Sequence, residues 1–153
     1  MIVTKSCVHL EDGDLALGCF VLRLCLGVNI FMHGVSRLAA GPAIFVAQLL
    51  KQFHDSVLPV WSLCAFGYAL PWIETLIGVF IILGLKTRVT LLAGGLLVAV
   101  LTFGSALTQQ WEITGTQLIY GIAFALLLCL ARYDSFSADS LLGRLRAAIA
   151  PKS

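Results

Sequence analysis

Charge is scarce in this chain. Ten basic and eight acidic side chains occur in 153 residues, 12% of the total, where a soluble domain carries roughly 25%. A small globule exposes much of its surface and needs polar side chains to cover it, so the shortage excludes an ordinary water-soluble enzyme and a disordered chain. The net charge is only +2, and no basic run is interleaved with aromatic residues, which excludes a nucleic-acid module. The five cysteines form no C-x-x-C pair, and metal-ligand spacing is lacking, so no metal is expected. Cys7 precedes the first apolar run, while Cys19, Cys25, Cys64 and Cys129 sit inside apolar runs, where cysteine behaves as a small hydrophobe. Glu11, Asp12 and Asp14 stand where a secretory leader would carry positive charge.

What is abundant is apolar sequence, 59% of all residues, with a mean hydropathy of +0.98. Four stretches reach the ~20 residues that a helix needs to cross a bilayer: 15–33, 58–85, 89–109 and 113–131. Lys86-Thr87-Arg88 and Gln110 to Glu112 are short links, and short links make antiparallel neighbours. The expected fold is an all-α membrane protein: one membrane domain over residues 1–153, built as a four-transmembrane-helix bundle, with a tail at 132–153.

Between the first two spans, Pro42 suits a first helical position. Phe45, Leu49, Phe53 and Val57 then recur every four residues among Gln48, Lys51, Gln52 and Asp55. That spacing predicts an amphipathic surface helix over 42–55. If the termini and the Lys86–Arg88 link share a side, that side holds Lys5, Lys86, Arg88, Arg132, Arg144, Arg146 and Lys152, against Arg37 and Lys51 opposite. The positive-inside rule then makes both termini cytoplasmic, and the bacterial cytoplasmic (inner) membrane is the expected location.

Charges at membrane depth are costly and mark paired or functional groups. Arg23 and Glu74 are the two, expected roughly 12 Å and roughly 16 Å from the inner side. Those heights predict a direct Arg23–Glu74 pair, serving either to lock two helices or to manage protons. Glu74 shares a face with Gly67, Pro71 and Gly78, a small-residue stripe that reads as close helix packing. Toward the outer side gather Asn29 and His33 on span one, Tyr68 and Trp72 on span two, Gln109 ending span three and Gln117 opening span four, with Tyr120 behind it, and helical rise puts His33, Tyr68, Gln109 and Gln117 within about one turn of each other. Donors and acceptors beside aromatic rings suit the carbonyls and flat ring of a quinone. The same residue types also populate an ordinary interfacial belt.

The stretches LRLCLGVNIFMHGVSRL (Leu22 to Leu38), LPWIETLIGVFIILGLKTR (Leu70 to Arg88), LTFGSALTQQWEITGTQLIY (Leu101 to Tyr120) and RYDSFSADSLL (Arg132 to Leu142) together resemble the DoxX/DoxD-like family of small bacterial membrane proteins. The matching positions are Arg23, His33, Gly34, Glu74, Gly78, Gly84 and Arg88. The Ser36-Arg37 pair stands where relatives often carry a Gln-Lys-like pair, which keeps the positive charge. The resemblance implies a four-helix membrane fold and quinone-linked redox work. On that reading Glu74 and Arg23 manage protons, while Asn29, His33, Tyr68, Trp72, Gln109 and Gln117 hold a quinone. The chain has no haem pair, flavin fingerprint or cluster cysteines, so a protein partner carrying the redox centre is expected, alongside membrane lipid and a possible second copy of the chain. A non-catalytic accessory or assembly subunit of a larger membrane complex is the second class that fits. A small transporter is a third, weakened by the lack of paired broken helices.

Overall fold

The computed structural model describes residues 3–149, with side chains described from Gly13 onward apart from those at 144 and 146–148. The side chains of Lys5, Cys7, Glu11, Asp12, Arg144 and Arg146, and the whole of Lys152, lie outside the described set. Six α-helices follow one another: α1 (Val3–Ala40), α2 (Pro42–Gln52), α3 (Val60–Leu83), α4 (Thr87–Leu107), α5 (Trp111–Leu130) and α6 (Ala138–Ile149), with a 3-10 turn at Ala131–Tyr133. Helices α1, α3, α4 and α5 are long and apolar enough to cross a membrane. Side chains such as Val21, Leu76, Leu96 and Ile119 stand exposed along them, as expected where lipid is the solvent.

Helices α1 and α3 form the tightest pair, and glycine makes it possible. A Cβ at Gly78 would sit 2.5 Å from the backbone nitrogen of Phe31, and one at Gly34 would sit 2.6 Å from that of Thr75. Gly27 meets Ile82 in the same way, 3.1 Å from its nitrogen. Contacts thus climb α1 by four and then three residues while descending α3 by four and then three. That fixes an antiparallel register in which Arg23 falls level with Gly84 at the C-terminal end of α3. The stripe Gly67, Pro71, Glu74, Gly78 is buried throughout, with Gly67 under Val46 of α2 and Gly78 against α1.

The first spanning helix runs to Ala40, well past the expected end at His33. The apolar stretch gives out at His33, but Gly34 seats the backbone on α3 and Arg37 finds a carboxylate there, so nothing forces the helix to stop. Helix α2 follows Gly41 (φ 102°) with Pro42 in its first turn. It packs across the N-terminal half of α3, with Val46 and Phe53 buried. It ends at Gln52, and Val57, expected on its apolar stripe, is 91% exposed.

Both tight links close in the same way. After α3, the Leu85 N–H donates to Phe80 O at 3.0 Å and the Gly84 N–H to Ile81 O at 3.1 Å, with Gly84 left-handed at φ 67°; this is the Schellman arrangement. After α4, Gln110 donates to Ser105 O at 2.9 Å and Gln109 to Ala106 O at 3.0 Å, with Gln109 left-handed at φ 56°. The core beneath is one cluster that includes Leu26, Ile30, Ile81, Leu91, Val98, Phe124 and Leu127.

Candidate functional site

The two intramembrane charges do not meet each other. Arg23 is 2% exposed, and its Nε lies 3.7 Å from Asp134 Oδ1. Its Nη2 donates to Phe136 O at 2.9 Å and its Nη1 to Ile81 O at 3.4 Å. Glu74, 4% exposed, accepts from Arg37 Nη1 through Oε2. The expected Arg23–Glu74 pair is therefore replaced by two separate pairs. The reason is register: Arg23 is level with Gly84, ten residues or roughly 15 Å along α3 from Glu74. Heights counted from the ends of hydropathic segments placed Arg23 too deep, because α1 starts well outside its apolar run.

Separate pairing has a measurable consequence. Removing one member of a buried pair strands the other, typically at about 3–5 kcal/mol, so Arg23→Gln and Asp134→Asn should each destabilise strongly and non-additively. Arg23→Gln and Glu74→Gln should instead add to within about 0.5 kcal/mol, as distant sites do. Unfolding titrations of the single and double variants in detergent micelles check this, and strong Arg23–Glu74 coupling would contradict the pairing.

Around Glu74 lies a cavity of about 320 Å³ shared by α1, α3, α4 and α5. Its polar groups are Asn29, His33 and Arg37 from α1, Glu74 from α3, and Gln117 and Tyr120 from α5. Its apolar wall includes Leu97, Val98 and Leu101 of α4. Asn29, His33 and Arg37 are four residues apart, so one helical face aims all three the same way. Ser105, buried on α4, donates to Gln117 Oε1 at 2.8 Å and also bonds the Thr114 hydroxyl at 2.8 Å. This fixes the Gln117 amide, whose Nε2 makes no hydrogen bond among the described residues. Asn29 Oδ1 is buried with no partner.

Arg37 does two jobs. Beyond its bond to Glu74, its guanidinium stacks over the Phe45 ring at 4.6 Å, tying α2 to the site. Arg37, Leu101, Ile113 and Gln117 also border a second chamber of about 170 Å³ beneath α2, which Gln52 and Gln110 line. On the other side, Asn29 and His33 border a groove on the lipid-facing surface of α1, beside Leu24, Val28 and Met32. The cavity thus adjoins both the α2 end of the bundle and its flank.

Of the residues expected to hold a ligand, Asn29, His33 and Gln117 line the cavity with Glu74. Tyr68, Trp72 and Gln109 do not. Trp72 and Tyr68 lie roughly 200° and roughly 240° around α3 from Glu74, and are 60% and 51% exposed. They face away from the bundle, toward lipid. Gln109 is the left-handed residue that turns the chain between α4 and α5 and is exposed, outside the residues that line the cavity. Arg37 was missed as a site residue although it continues the Asn29, His33 spacing, because the helix was ended before it. No group of three or more His, Cys, Asp or Glu suited to a metal occurs among the described residues.

The DoxX family profile matches residues 18–111. The chain belongs to the DoxX family. The match covers more than half of the sequence, takes in Arg23, Glu74 and the whole of α1's cavity face, and stops where α5 begins. With four helices of spanning length, this makes it a multi-pass DoxX membrane protein. No curated protein and no solved structure matches the chain.

Proposed function

We propose that this DoxX protein is the membrane subunit of a quinone-linked redox system, with the quinone head group taken into the cavity around Glu74. The observation that carries the reading is the convergence of an unpartnered buried acceptor, a fixed amide and a carboxylate in one apolar-walled space of about 320 Å³. That volume lies at the lower end of the range for small-ligand sites and suits a single ring rather than a whole prenyl chain. The free Nε2 of Gln117 can donate to a quinone carbonyl, and Asn29 Oδ1 can accept from a hydroquinone hydroxyl. When bound, the quinone supplies two-electron, two-proton chemistry. Glu74 holds a proton at Oε1, which takes no hydrogen bond among the described residues, while Arg37 fixes the carboxyl at Oε2. The chamber beneath α2, with Gln52 and Gln110, gives those protons polar surroundings toward the outer end. The groove at Asn29 and His33 offers entry from lipid, with Leu24, Val28 and Met32 beside the tail.

Electrons come from a protein partner, since the chain carries no recognisable redox-centre motif. The count of basic residues favours cytoplasmic termini in a bacterial inner membrane. Native mass spectrometry on protein extracted gently from its own membrane tests the reading. A quinone mass is expected, lost in His33→Ala and Gln117→Ala but kept in Tyr68→Ala and Trp72→Ala. A stoichiometric protein partner with no quinone would favour a non-catalytic accessory subunit instead.

A further inference from the structure

At the opposite end of the bundle a second cleft, of about 540 Å³, opens between the Lys86–Val89 turn and the segment from Ala131 to Ser140. Three cationic side chains border it: Lys86, Arg88 and Arg132. Two carboxylates border it too, but both are engaged elsewhere. Asp134 faces Arg23. Asp139 accepts the Lys86 N–H at 2.9 Å through Oδ1 and the Thr87 N–H at 2.8 Å through Oδ2, so it caps the start of α4. Among the described residues no carboxylate pairs with Lys86, Arg88 or Arg132. Lys86, Arg88 and Arg132 are all exposed, and Arg132 is braced on the Tyr133 ring at 4.5 Å. Immediately along α4 from the cleft, Val89 and Leu92 are 66% and 53% exposed.

We infer that this cleft binds the headgroup of an anionic phospholipid, with the phosphate among Lys86, Arg88 and Arg132 and the acyl chains against Val89 and Leu92. Unpaired cations where apolar helices end are the groups that recognise acidic headgroups. A free phosphate shares the headgroup's chemistry, but it would make no use of the exposed apolar side chains beside the cations. The site is independent of the cavity at Glu74 and of what that cavity holds.

The test is lipid retention. The full chain is reconstituted in nanodiscs of equal phosphatidylglycerol and phosphatidylethanolamine, and the lipids still bound are counted by native mass spectrometry. Phosphatidylglycerol adducts should exceed phosphatidylethanolamine adducts roughly tenfold or more. Arg88→Gln with Arg132→Gln should remove that excess, Arg88→Lys with Arg132→Lys should keep it, and Lys51→Gln at the other end should leave it unchanged. Equal retention of the two lipids by the unaltered chain would overturn the inference without recourse to any variant, as would an excess that survives the double glutamine change. Inorganic phosphate offered to protein in neutral detergent is the second arm. Phosphate adducts without a phosphatidylglycerol preference would assign the cleft to a free anion and overturn the lipid assignment.

Discussion

Gly78→Ala is expected to destabilise the protein by about 3 kcal/mol, the upper end of what overpacking costs, and Gly78→Leu to prevent assembly of the bundle. The added Cβ would meet the backbone of Phe31, its nitrogen at 2.5 Å and its Cα at 2.6 Å. A side chain can rotate out of such a contact, whereas a helix backbone can yield only by moving the whole of α1 away from α3. Gly34→Ala meets the same obstacle one turn on, against the Thr75 nitrogen and the Pro71 carbonyl at 2.6 and 2.7 Å. Gly115 is the control, because nothing lies within 4 Å of a Cβ there. Gly115→Ala should be neutral or gain up to about 1 kcal/mol from helix propensity. Unfolding in mixed micelles, followed by loss of helical circular dichroism, compares the three, and equal stabilities would remove the glycine register as the organiser of the bundle.

Glu74→Gln should lower chain-dependent quinone reduction by roughly 100-fold, the lower bound usual for losing a positioned acid–base group, while the protein accumulates normally. Glutamine keeps an oxygen for the Arg37 guanidinium and has almost the same volume, so the helices stay joined by a hydrogen bond, and the Arg37 side chain is partly exposed, unlike that of Arg23, so its charge is not sealed inside the bundle. What is lost is the group that can carry a proton. Glu74→Leu should behave differently, leaving the Arg37 guanidinium with no oxygen to bond on α3 and lowering abundance as well. The comparison uses membrane vesicles containing the native partner, with rates taken above those of vesicles lacking the chain. An undiminished rate in normally assembled Glu74→Gln protein would end the proton role and leave Glu74 as a fastener.

Hydropathy sufficed to find four spans, and the i, i+4 spacing sufficed to find the helix that packs across α3. Helical rise brought His33 and Gln117 to similar heights, and these two share the cavity with Asn29 and Glu74. What it could not supply was direction and register. Trp72 and Glu74 are two residues apart and nearly equal in height, yet a helix turns about 100° per residue and sends one to lipid and the other inward. Register between α1 and α3 is set by three glycine contacts, and an apolar count has no term for them. Two pairings were illegible for the same reason: the partner of Arg37 lies in another helix, and the partner of Arg23, Asp134, is most of the chain away.

The Arg23–Asp134 fastening bears on how the protein is made. Arg23 enters the membrane with α1, and the groups that neutralise and cap it, Asp134 and the Phe136 carbonyl, are synthesised only after α5. Until then its charge must be met by water, headgroups or the insertion machinery. Release of α1 into lipid is thereby coupled to completion of the other three spans, and a nascent chain stalled before Asp134 should remain held at the insertion site rather than drift into the bilayer half built.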